Sequence, residues 1–211
     1  MALFSGSSGL SPPARTEIAL VISILAIVVA IKAMVVVAQV WWGIDYYDLV
    51  RDPNAIAGNP HYFGIVSNLG IVLWLGGATC ALLAHATSRH KRNGTIGTVL
   101  FYGGIFAALM GLDDLFMLHE SAGIGEQIVL LPHALLLLIA AFHVWRARAE
   151  TPWPLFAAAF VSFALSLAFD LCPAHFPGQV FVEESFKLLG IAMLSAYLLL
   201  VSLGALKQPA R

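Results

Sequence analysis

The run GLDDLFMLHE places Asp113, Asp114, His119 and Glu120 within eight positions at the end of an apolar segment. A second run, EESFK, sets Glu183 and Glu184 beside Lys187, and Glu126 and His133 lie between the two runs. Mixed carboxylate and imidazole donors suit zinc, iron or manganese. The expected ligands are Asp114, His119, Glu120, Glu126, His133 and Glu184, around a divalent transition metal, zinc or iron. A metal with an open coordination position activates water. Asp113, Lys187 and Ser67 would then serve as catalytic acid–base or hydrogen-bonding groups beside it.

Helical spacing says which of these groups share a face. At about 100° per residue, Asp113 and Glu120 stand on one side of a helix, and so do Glu126 and His133. Asp114 and His119 diverge from that side and are free to reach other helices. Glu184 and Lys187 are three apart and Glu183 and Lys187 four apart, both pairing distances on a helix. Several carboxylates with one or two histidines on facing helices match the di-iron arrangement of a helical bundle. Neither Glu-x-x-His nor His-Glu-x-x-His occurs, so spacing alone does not select a metal. Each group also has a plainer reading. Asp113 or Asp114 would form a structural ion pair with Lys32 or Lys187, because adjacent buried acids need compensation. Glu120 and Glu126 would be solvated helix ends, and His133 a packing histidine. Gly103, Gly104 and Gly111 read as close-packing positions rather than a cofactor loop.

The elements that position these groups are apolar. Of 211 residues, 60% are hydrophobic and 11% charged, against about 25% charged in an average soluble domain. Runs of about 20 apolar residues are long enough to cross a bilayer as helices. Six are expected, at residues 18–41, 62–84, 96–118, 127–145, 153–171 and 182–203. The fold class is therefore all-α, a polytopic membrane bundle of six transmembrane helices. Residues 1–17 form a flexible cytoplasmic tail, 18–205 the transmembrane domain and 206–211 a second cytoplasmic tail. The first run is too long for a signal-peptide core. Cys80 and Cys172 stand on separate segments and suggest neither a disulfide framework nor a metal knuckle.

Charge sets the direction. Arg15, Arg89, Lys91, Arg92, Arg146, Arg148, Lys207 and Arg211 all fall on one side if the spans alternate. The positive-inside rule makes that side the cytoplasm, with both termini there. Ten of the twelve acids then lie outside, or in the outer part of a span; Glu17 and Glu150 are the exceptions. At about 1.5 Å per helical residue, Ser67, Asp113, Asp114, His133, Asp170 and Lys187 occupy one layer roughly 5–10 Å below the outer boundary. The site would face the periplasm or exterior of a bacterial inner membrane.

DDLFMLHE followed by EESFKLLG resembles a pattern in small bacterial multi-pass membrane proteins, and the resemblance spans most of the chain. A thinner similarity is to the alkaline ceramidase-like membrane hydrolases, which combine a Ser, an Asp and histidines to hold zinc. That similarity implies those parts for Ser67, Asp114, His119 and His133. The last helix of that group carries His-x-x-x-His; here it offers Glu183, Glu184 and Lys187.

Three functions follow as expectations. The first is a metal-dependent enzyme, a hydrolase or oxidoreductase, acting on a lipid or amphiphile from the bilayer. The second is cation binding or transport, although spans two, four and five carry few polar groups toward the cytoplasm. The third is an accessory subunit whose acids dock a partner in a larger membrane complex. No basic patch or phosphate loop points to nucleic acid.

Overall fold

The computed structural model describes residues 14–50, 53–60, 62–87, 94–118, 126–170 and 177–207, and every regular element among them is helical. The chain divides into two units, residues 1–63 and 64–211. In the first, α1 (Ala14–Trp42) is followed by the short helices α2 (Tyr46–Val50) and α3 (Pro53–Ala57). Gly43, at φ +67°, turns the chain out of α1 in a left-handed conformation open to glycine. Lys32 lies on α1, exposed within this unit.

The second unit holds α4 (Ile65–Thr87), α5 (Thr95–Phe116), α6 (Glu126–Arg146), α7 (Trp153–Asp170) and α8 (Gln179–Lys207). Four of these, α4, α5, α7 and α8, are long and apolar enough to cross a membrane. Shorter apolar stretches, Val28–Trp42 and Leu131–Arg146, lie in α1 and α6. Each expected span falls on a helix whose ends agree with it to within a turn. Large apolar side chains also face outward, among them Val72, Leu83, Phe142, Phe160 and Leu203. A helix apolar on its core side and on its outer side has no stable place in water. This is the build of a membrane-embedded helical protein.

α4 packs on α5 and α8, α7 packs on α8, and α6 packs mainly on α5. The core joins Trp74, Ala78 and Ala81 of α4, Leu100 and Phe106 of α5, Phe156 of α7, and Leu194 and Tyr197 of α8. Small residues set the spacing. A Cβ at Gly103 would stand 2.8 Å from Leu198, at Gly104 2.8 Å from Leu82, and at Gly111 2.9 Å from Trp74 and Leu75. These glycines are packing positions, as expected, and close helix contact supplies the van der Waals attraction that holds bundles together in lipid. At the far end of the α7–α8 hairpin, Gln179 Nε2 donates to the Phe169 carbonyl at 2.6 Å and caps the end of α7.

Candidate functional site

α5 ends at Met117, which takes a left-handed conformation at φ 49° and returns its N–H to the Asp113 carbonyl. Asp113 and Asp114 therefore occupy the last turn of a transmembrane helix. Asp113 is 1% exposed and has a partner of its own. Asp114, rotated by about 100° on the helix, reaches between α4 and α8.

Both oxygens of Asp114 are engaged. Lys187 Nζ donates to Oδ1 at 3.2 Å, from the third turn of α8. Trp74 Nε1–H donates to Oδ2 at 3.1 Å, from the middle of α4. The Asp114 side chain is 7% exposed and that of Lys187 32%. The acid is thus nearly enclosed while about a third of the lysine side chain stays exposed. Trp74 is itself fixed: its ring stacks on Phe163 of α7 at 5.6 Å and meets Phe106 of α5 edge-on at 5.6 Å. One carboxylate consequently ties three helices, and its indole donor braces a fourth.

Beside this pair lies a recess of about 10 Å³, lined by Ser67 and Gly70 of α4, Asp114 of α5, and Glu184, Lys187, Leu188 and Ile191 of α8. That volume is the size of one water. Its walls carry two carboxylates and one ammonium, so it holds one negative charge more than it neutralises when both acids are ionised.

The structure therefore gathers Ser67, Asp114, Glu184 and Lys187. Among the expected residues, His133 is half-buried on α6 with a partner of its own, outside this recess. Glu126 begins α6, but its side chain lies outside the described residues, as do His119 and Glu120 entirely. Among the described residues no three of His, Cys, Asp and Glu come together closely enough to hold a metal ion. Cys80 is a free thiol on α4, and Cys172 lies outside the described residues. Trp74 is the member of the network that sequence reasoning missed. Its signal was position: Trp41, Trp42, Trp145 and Trp153 mark helix ends, while Trp74 sits mid-helix, where a buried indole N–H needs an acceptor.

A family profile described as a domain of unknown function, DUF8692, matches residues 21–201. The chain belongs to that family. The matched region takes in both acidic runs and all of the recess. No curated protein and no solved structure matches the chain.

Proposed function

We propose that this chain is a six-span inner-membrane protein that binds a small hard cation at the Ser67–Asp114–Glu184 recess, in exchange for the Lys187 ammonium. The observation that carries this reading is the 3.2 Å contact between Lys187 Nζ and Asp114 Oδ1 in a recess with a second carboxylate on its wall. An ionised carboxylate in a bilayer needs a compensating charge. Lysine supplies it as a compact charge on a flexible stem. When the stem swings out through its exposed side, Asp114, Glu184 and Ser67 remain as oxygen donors. Such a set matches sodium, calcium or magnesium.

The expected zinc or iron set shares Asp114 and Glu184 with this recess; His133 stands outside it, and a recess walled by carboxylate and hydroxyl oxygens favours a hard cation. Action on a lipid needs room for a scissile bond, and a recess the size of one water favours an ion. The six spans rest on six long helices, two of them with shorter apolar stretches. The periplasmic direction of the site rests on the charge bias of the connectors.

The test is thermal unfolding of purified protein in detergent, with sodium, calcium, magnesium or zinc chloride against choline chloride at equal ionic strength. Lys187→Met removes the internal cation. Its unfolding temperature should rise strongly with one of the hard cations and little with choline, and Asp114→Asn should abolish the response. A Lys187→Met protein indifferent to every cation would overturn the reading. A response to zinc alone would move it to the metal-enzyme alternative.

A further inference from the structure

At the opposite end of the second unit, about 28 Å along α5 from Asp114, lies a cavity of about 440 Å³. It opens where the first turn of α5, the α6–α7 connector and the last turns of α8 meet. We propose that it binds the head of a membrane lipid carrying a primary ammonium group, an aminophospholipid.

The size is that of a small-molecule site, which runs from about 300 to 1,000 Å³. The walls have two characters. Ile96, Leu200, Val201 and Ala205 are apolar, while Thr95 and Glu150 are polar. Glu150 is the one ionisable group on the described lining, and no ion pair holds it among the described residues. Its sequence neighbours do not supply one. The Arg148 guanidinium lies 4.5 Å over the Trp145 ring and donates to the Trp145 carbonyl at 3.0 Å. Arg146 lies 5.8 Å over Phe142. A carboxylate thus faces a cavity while the described arginines nearest in sequence lie on aromatic rings. A cationic head group would complement it.

The level of the cavity says which cation. Trp145 and Trp153, both well exposed, flank the Glu150 connector. Exposed tryptophans at helix ends mark the headgroup layer of a bilayer. A head group at that depth meets Glu150 while its glycerol and first methylenes meet Leu200 and Val201. Gly204 keeps the space open: a Cβ there would meet no atom within 4 Å. A side chain added at this position starts from open space on the cavity lining.

The experiment uses the full chain, purified in detergent and stripped of lipid, with binding read by native mass spectrometry and by the shift in unfolding temperature. The lipids are phosphatidylethanolamine, phosphatidylcholine and phosphatidylglycerol. The expected order places the ethanolamine lipid at least several-fold ahead of choline, whose quaternary nitrogen donates no hydrogen bond, and of the anionic glycerol lipid. Gly204→Phe should cut binding about tenfold while leaving the lipid-free unfolding temperature near its original value. Glu150→Gln should remove the preference for ethanolamine over choline. Glu150 is exposed, so this variant decides the matter even where Gly204→Phe folds poorly. Equal or tighter binding of phosphatidylglycerol, or a preference unchanged by Glu150→Gln, would overturn the proposal.

Discussion

Lys187 Nζ and Asp114 Oδ1 meet at 3.2 Å across 73 residues of sequence, and the contact joins α5 to α8. Removing one partner leaves the other charge uncompensated, which costs about 3–5 kcal/mol for a fully buried pair. Lys187 is about one-third exposed, so the cost here falls to roughly 1–3 kcal/mol, because the pair is not fully enclosed. Asp114→Asn and Lys187→Met should each destabilise by that amount. The double variant should be more stable than the sum of the two predicts, with a coupling of about 1 kcal/mol or more. Additive losses in a double-mutant unfolding cycle would mean that the pair is an accident of proximity.

Trp74 gives two separable contributions. Trp74→Phe keeps an aromatic ring against Phe163 and Phe106 but deletes the N–H that reaches Asp114. A hydrogen bond to a charged group contributes about 1.5–3 kcal/mol, so a loss near the lower figure is expected. Trp74→Leu also loses the ring contacts and should fall further. In an Asp114→Asn background, Trp74→Phe should cost clearly less than it does alone. Equal costs in both backgrounds would show that the indole acts through packing only.

Gly190 is the tightest of the glycines among the described residues. A Cβ there would stand 2.6 Å from Cε1 and 2.7 Å from Cδ1 of Phe163. Gly190→Ala therefore has to move a ring that is stacked on Trp74, and overpacking of this kind costs about 1–3 kcal/mol. Phe163→Leu should recover part of that loss in the double variant, because the ring edge is what a methyl group meets. A Gly190→Ala protein as stable as the original would show that the ring yields freely.

Much of this was legible in the residues. Apolar run lengths located the long helices, because a chain that satisfies its backbone in lipid has few other choices. The same spacing separated Asp113 from Asp114 by about 100° and sent Asp114 toward other helices, where α4 and α8 receive it. Lys187 was among the partners expected for the pair, and Ser67 and Glu184 share its recess. What periodicity does not carry is which helices are neighbours. That depends on small residues such as Gly77, whose Cβ would come within 3.1 Å of Ser195 Oγ, and on an indole that looks like ordinary core until its acceptor is known. The metal reading leaned on carboxylates and histidines by residue type; Asp114 and Glu184 do share a recess, His133 stands outside it, and His119 lies outside the described residues.

Topology offers a test that is independent of the site. With six spans, reporter tags at residue 1, in the 88–93 connector and after residue 211 should all report from the cytoplasm. A tag between residues 171 and 177 should report from the other side. The four helices α4, α5, α7 and α8 satisfy span length and composition outright, so α1 and α6 decide the outcome. If α6 did not cross, the 171–177 tag would share the side of the 88–93 tag.

Tyr197 is 0% exposed, and its hydroxyl has no hydrogen-bond partner among the described residues. The Thr151 hydroxyl on the α6–α7 connector lies close to it but donates to the Ala147 carbonyl at 3.1 Å. A buried polar group left unmatched costs about 1–3 kcal/mol. Tyr197→Phe removes that cost while keeping the ring, which meets Phe156 edge-on at 5.5 Å. The variant should therefore be more stable than the original by about 1 kcal/mol in reversible unfolding. A loss of stability would mean that the hydroxyl has a partner in the membrane-embedded protein, and a bound water next to Thr151 would be the first place to look.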